Sequence, residues 1–366
     1  MKPKLLCILH RSPPFHGAAK VGDFISESVK LNEKYNCKFI TIKSSDIIGD
    51  IGKVNFKKFY LVAELYMKVL FTLLIFRPDK LYFTASVRGV ALYRDILIST
   101  LWKIYSLFAS LDIYYHYHTK GINEVVSSSS QNLKLTNFFV KNVNMVLLSP
   151  LLEKDIEKLT TYKSILLLPN GVEDTMLSEN FNSYFENKYN NIDTIQVLYL
   201  AHMMRDKGYW EALKLVKVNK GKNIHFNFAG SWKDKKNEIE FFTFIKEHQL
   251  EENITYHGFV SGEQKDTLFK NAHLLLYPSK NDAFPLTLLE ALSYGVPVLA
   301  TNEGSIPYIL DDKSGIVIKN LEKLEIEFNH VIKKFINIKS AELCRQRYID
   351  NFNLEQFEEN LIKVFK

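Results

Sequence analysis

Cysteine is scarce in this sequence. Cys7, Cys37 and Cys344 are the three among 366 residues, an odd number with no short spacing. That pattern argues against a disulfide framework or a metal knuckle and suits a reducing, cytoplasmic setting. Long uninterrupted apolar runs are missing as well. The stretch 60–76 is broken by Glu64 and Lys68, and 96–111 by Lys103, short of the roughly 20 apolar residues a spanning helix needs. Both read as soluble helices with wide apolar faces. The apolar start LLCIL runs at once into His10, Arg11 and Pro13, so it reads as a first buried strand, not a secretory signal. No Gly-x-Gly-x-x-Gly follows a strand pattern, which disfavours a dinucleotide-dependent oxidoreductase. No Asp-x-Asp or His/Asp cluster has metal-ligand spacing. No fixed-period repeat points to a solenoid, and no basic stripe interleaved with aromatics points to nucleic acid.

What the chain does have is ordinary globular composition, 46% hydrophobic and 24% charged, over a length that exceeds one usual core and favours two domains. Charge is uneven. Residues 1–172 carry 23 Lys and Arg against 13 Asp and Glu, and residues 173–366 carry 24 against 28. The basic first half is either a generally solvated lysine-rich surface or one that faces anionic lipid or a phosphate-bearing acceptor.

Short β-rich runs alternate with helical patterns throughout. LLCIL, KFITI, DKLYFT, DIYYHYH, MVLLSP and SILLLP lead to a PNG turn at residues 169–171, and QVLYLA, HFNFAG, NITYHG, LLLYPS and VPVLAT form a second series. This alternation predicts an α/β chain of two doubly wound, Rossmann-like parallel sheets. The expected division is a first domain over 1–172, an Asn-, Ser- and Tyr-rich linker over 173–193, and a second domain over 194–345. In such sheets ligands sit at the carboxyl ends of the strands.

The most informative segment is PSKNDAFPLTLLEALSYGVPVLAT, residues 278–301. A strand ends at Pro-Ser, a loop carries Asp282, Pro285 stands where a helix would start, and Glu290 lies about one and a half turns inside. The free amides of Leu286 and Thr287 are candidates to hold phosphate, and Glu290 could accept hydrogen bonds from ribose hydroxyls. Read alone, Glu290 is equally a solvated helix residue and Asp282 a loop or capping acid.

The surrounding letters resemble the retaining glycosyltransferases of family 4, whose architecture is GT-B. Asp282 and Glu290 have seven residues between them, and are followed by Gly295–Val298 and then by Gly304 and Pro307. HGFV at 257–260, FAG at 228–230 and PNGV at 169–172 extend the match over nearly all of the second domain. In the first domain PPFHGAAK resembles a Pro-Pro-x-x-Gly-Gly phosphate loop with Gly17 retained and Ala18 in place of the second glycine. HYHTKG resembles the strand-end segment whose histidine, here His118, contacts the donor sugar. LYLAHMMRDKGYWEAL makes Lys207 the expected diphosphate cation. His202 stands where arginine is frequent, so Arg205 either supplies that charge or is simply exposed. Asp282 stands where glutamate is usual, and Pro285 removes an amide.

The resemblance implies two domains facing a central cleft and a carboxyl-terminal helix, within 346–366, that crosses back to the first domain. It further implies catalytic roles for His118, Asp282 and Glu290, with donor contacts from Gly17, Arg205, Lys207, Val260, Phe284, Leu286, Thr287 and Glu290. The implied reaction is metal-independent transfer of a hexose-type sugar, with retention, from a UDP- or GDP-sugar to a glycan or lipid-linked hydroxyl. The nucleotide-sugar is a substrate and no cofactor is expected. Bacterial surface polysaccharide assembly in the cytoplasm, on the inner face of the cell membrane, is the implied setting, and an anionic membrane surface is a possible partner. Two rivals stay open: a nucleotide-sugar epimerase of similar architecture, and an inactive partner subunit.

Overall fold

The computed structural model describes residues 2–13, 16–43, 56–176, 180–190 and 192–366. The chain forms two compact units, Met1–Asn170 with Glu355–Lys366, and Gly171–Leu354. The first contains, in order, β1 (Lys4–Leu9), α1 (Gly17–Glu27), α2 (Val29–Lys34), β2 (Asn36–Thr41), α3 (Phe56–Phe76), β3 (Lys80–Ala85), α4 (Gly89–Tyr105), β4 (Asp112–Tyr117), α5 (Ile122–Ser128), α6 (Ser130–Val140), β5 (Asn144–Leu147) and β6 (Ser164–Leu167). The second contains α7 (Phe181–Tyr189), β7 (Ile195–Leu200), α8 (Tyr209–Val218), β8 (Ile224–Ala229), α9 (Lys235–His248), β9 (Ile254–Tyr256), α10 (Gly262–Asn271), β10 (Leu274–Tyr277), α11 (Leu286–Ser293), β11 (Val298–Thr301), α12 (Ile306–Ile309), β12 (Gly315–Ile318), α13 (Leu324–Phe335) and α14 (Ile338–Asn351). The chain ends in α15 (Leu354–Val364).

All strand pairs are parallel, ordered β2-β1-β3-β4-β5-β6 in one sheet and β12-β11-β10-β7-β8-β9 in the other. Continuous apolar strands such as LLLY of β10, buried at every position, are what a sheet covered on both faces requires. In each sheet the strand order reverses beside the first strand: between β1 and β3, and between β7 and β10. With right-handed crossovers the helices on either side of that reversal lie on opposite faces, which leaves a crevice at the carboxyl ends of those two strands.

The expected two doubly wound sheets are therefore observed. The stretch expected as a linker over 173–193 is different. α7 belongs to the second unit, with Phe185 1% exposed and Tyr189 donating to the Gly295 carbonyl at 3.3 Å. Its inward positions are Phe181, Tyr184, Phe185 and Tyr189, a helical spacing hidden in an Asn-rich composition. A Cβ on Gly295 would lie 2.5 Å from the Phe185 ring, so the glycine makes room for this helix. The carboxyl end also divides differently from the expected 346–366, because α14 stays in the second unit and residues from Glu355 onward join the first.

The joining is by aromatic packing. Phe365, 1% exposed, meets the rings of Tyr35, Tyr82 and Tyr114 at 5.8, 5.8 and 5.1 Å, and Tyr35 donates to its carbonyl at 3.3 Å. Phe365→Ala is expected to destabilise the first unit by about 3–5 kcal/mol. Hydrogen exchange checks this: amides of β1 and β3 should lose protection while those of β7 and β10 keep it.

Candidate active site

In the second unit the site is built by two loops that leave β7 and β10 at the crevice. The β7 loop ends in a short 3-10 turn, Arg205–Lys207, and Gly208 at φ +81°. A Cβ at Gly208 would stand 2.1 Å from the Pro278 carbonyl oxygen, so only glycine lets the Lys-Gly turn lie against the end of β10. The Lys280 amide donates to the Asp206 carbonyl at 2.7 Å and fastens the loops together. Gly304 has the same function on the other side. It has φ +52°, and its absent Cβ would meet the Asp282 carbonyl oxygen at 2.1 Å, while the Ser305 amide donates to Ala283 at 2.8 Å.

These contacts bring Lys207 and Asp282 together. The ammonium lies 2.9 Å from Asp282 Oδ2, with the side chains 19% and 16% exposed, and donates to the Asn281 carbonyl at 2.5 Å. Asp282 Oδ2 also accepts from Tyr277 at 2.9 Å and Ser279 at 2.7 Å. Ser279 is itself held by Thr301, whose hydroxyl donates to its carbonyl. Burial, followed by the nearby Asp282 charge, pushes the Tyr277 phenol well above its ordinary value, so it remains a donor. Asp282 Oδ2 is thus engaged by three donors and holds Lys207 in place. Tyr277, Ser279, Asn281 and Thr301 complete the arrangement; the sequence marks Ser279 only as part of the Pro-Ser turn and gives no signal for the other three.

Past this pair, Pro285 caps α11 with extended backbone and no side chain caps its first turn. The amides of Leu286 and Thr287 therefore open the helix at its positive end. Glu290, 22% exposed, pairs with Lys265 of α10 at 2.7 Å, a partner 25 residues upstream that no sequence signal marks. The Phe284 ring is buried against Tyr308 and Phe352, so that residue has only its backbone to offer a ligand. Val260 lies half-buried in the loop after β9. Arg205 does not join Lys207: its guanidinium pairs with Glu240 at 2.5 Å and stacks 4.0 Å over Trp210. His202 meets the Ser231 hydroxyl at 3.2 Å.

The first unit presents a different chemistry at its strand ends. Four histidines gather there. His10 follows β1, His16 caps α1 by accepting from the Ala19 amide at 3.2 Å, and His116 and His118 end β4 with rings 4.0 Å apart. His116 Nδ1 bonds to the Tyr82 hydroxyl. Burial above all, then the fields of His10 and His16, pushes His118 down to about 3. Burial, Arg94 and His16 bring His10 to about 3, and His116 is lowered by burial and His118. His10, His116 and His118 are therefore neutral, and His118 Nε2 is buried without a hydrogen-bond partner among the described residues. Such a group suits an uncharged hydroxyl better than an anion. Gly17 is exposed at the start of α1, with open space where its Cβ would be. No group of three or more His, Cys, Asp and Glu residues is arranged to hold a metal ion among the described residues.

Residues 181–351 match the family model for glycosyl transferases group 1. An uncharacterized 41.2 kDa protein in the cps region of Klebsiella pneumoniae is 30% identical over 179 residues, 48% of this chain and 47% of that protein. The alpha-1,3/1,6-mannosyltransferase ALG2 of Dictyostelium discoideum is 30% identical over 156 residues, 40% of this chain and 37% of that one. The similarity thus spans half or less of these relatives. A glycosyltransferase structure from Rickettsia africae superposes on 100% of this chain and 98% of its own, with TM-score 0.75 and 14% identity, and the fold is accordingly GT-B.

Two outcomes are expected from this geometry. Gly208→Ala should destabilise the second unit by about 1–3 kcal/mol through its left-handed backbone, with more from the clash at Pro278, read as a lowered unfolding midpoint. The histidine cluster makes the first unit sensitive to acid. The unfolded chain binds protons below the ordinary 6.5 while the folded His118 stays neutral to about 3, so stability is complete above about 6.5 and falls as pH drops toward 3. His118→Phe should flatten that slope in a series of thermal midpoints against pH.

Proposed function

From the match of residues 181–351 to the family model for glycosyl transferases group 1 we propose that the chain is a retaining glycosyltransferase using UDP- or GDP-hexose. Its acceptor is a hydroxyl of a glycan or lipid-linked glycan, in surface polysaccharide assembly at the cytoplasmic face of the membrane. The observation that carries this reading is the Lys207 ammonium, aimed by Asp282 and Asn281 at the crevice that also receives the uncapped start of α11. A cation and free amides at one strand-end crevice suit a diphosphate leaving group.

In this mechanism the bond between the anomeric carbon and the donor phosphate oxygen breaks, and the electron pair leaves with the diphosphate. Lys207 and the Leu286 and Thr287 amides take up the charge that develops there. The acceptor hydroxyl attacks from the same face, and its proton passes to the departing phosphate oxygen, so no separate base is needed. Glu290 accepts from the ribose hydroxyls, with Lys265 holding it in place. His118 receives a sugar hydroxyl on its unpartnered Nε2, and Gly17 leaves room for the donor at the start of α1. Lys207 and the amides do here what a divalent ion does in metal-dependent transferases. The genomic setting in the Klebsiella protein's name and the sugar transfer in the Dictyostelium enzyme's support this reading.

The deciding assay is a panel of nucleotide-sugars scored for nucleoside diphosphate release, with and without a lipid-linked glycan extract. Acceptor-dependent release is expected. Lys207→Ala should lower kcat about a hundred- to a thousandfold, whereas Glu290→Ala should act mainly on the donor KM. A chelator should leave the rate unchanged. Sugar conversion without acceptor or release would make the chain an epimerase instead, and donor binding without turnover an inactive subunit.

A further inference from the structure

α3 and α4 break the usual rule for surface helices. On α3 the positions facing the sheet are Leu65, Val69 and Leu73, all buried. The opposite face is apolar too: Tyr60, Met67, Phe71 and Leu74 recur at helical spacing with exposures of 65, 45, 54 and 56%, beside Ile75 at 79%. α4 repeats the pattern with Val90, Tyr93, Leu97 and Ile104, each more than half exposed, followed by Phe108 at 85%. The two helices pack against each other, so the stripes form one surface.

By length and composition α3 could cross a bilayer. Its place forbids that: it links β2 to β3 of a single sheet, and its inner face is packed in the unit. An apolar stripe on a helix that cannot span is suited to lie in an interface.

We propose that the α3–α4 face docks flat on an anionic lipid bilayer. Charge selects this occupant over a second copy of the chain. Lys38, Lys43 and Lys68 stand against Glu64 at the edge of this face, so like faces repel each other while anionic headgroups attract them. Beside α3 a groove of about 650 Å³ runs along the edge strand β2, with Ile40, Met67 and Phe71 in its lining and Lys38, Lys43 and Lys68 at its rim. Glu64 pairs with Lys43 at 3.1 Å and Lys68 at 2.5 Å, which leaves the rim net positive. Tyr60, Tyr93, Phe71 and Phe108 are the amphipathic and aromatic types that settle at headgroup depth. None of these residues is among the candidate site residues of either unit, so the docking stands apart from turnover.

The test is flotation of the full chain with phosphatidylcholine vesicles and with mixed phosphatidylcholine–phosphatidylglycerol vesicles, together with light scattering in solution. Binding to the mixed vesicles is expected, weaker to the neutral ones and weakened by salt. A variant with Leu74→Gln, Ile75→Gln, Leu97→Gln and Ile104→Gln, all solvent-facing changes, should keep its thermal midpoint and lose more than about tenfold of the binding. Lys38→Glu with Lys43→Glu should remove the preference for anionic vesicles. The proposal fails if the native chain ignores both vesicles, if the four-glutamine variant floats as well as the native chain, or if the native chain is a dimer that this variant makes monomeric. No outcome depends on catalysis, so it can fail while the transferase reading stands, and the reverse.

Discussion

Everything else in this chain follows from the requirement that parallel strands be joined by right-handed crossovers. A parallel sheet cannot use hairpins, so each strand hands its carboxyl end to a loop and each loop begins a helix on a covered face. Where the winding reverses, two such loops separate and leave a crevice. β7 and β10 flank one, and the functional letters of the second unit collect there because this is where backbone is free of the ladder. Gly208 and Gly304 show how tight that place is, since a methyl group at either would overlap a carbonyl oxygen of the neighbouring loop.

The two units meet the same topological problem with opposite electrostatics. The second holds charged partners in contact, Lys207 with Asp282 and Lys265 with Glu290, so each ion pair fixes the position of both its members. The first keeps His10, His116 and His118 neutral by burial, and leaves His118 Nε2 unpartnered among the described residues. A preorganised cation suits developing negative charge, and a dry neutral hydrogen-bonding group suits an uncharged hydroxyl.

Local signals and long-range contacts were unequally legible. Strands such as LLLY and KLYFT could be read because burial on both faces demands continuous apolar runs, and the Asp282 loop because Pro278 and Pro285 bracket it with polar residues between. α7 reads as a linker in the sequence because its inward positions are aromatic in an Asn-rich setting. Arg205 could not be placed, because Glu240 and Trp210, which hold it, lie on other turns of the chain. Phe284 sits inside the motif yet turns its ring into the core.

The sequence by itself determined the elements, the two sheets and the list of chemistry-bearing letters, since periodicity, turn residues and capping act over a few positions. Tertiary structure alone decided which letters meet. Asp282 became the partner of Lys207, Glu290 the partner of Lys265, and the second faces of α3 and α4 stayed uncovered. Pairing and burial depend on residues tens of positions apart, which only the winding of the sheets brings to the same place.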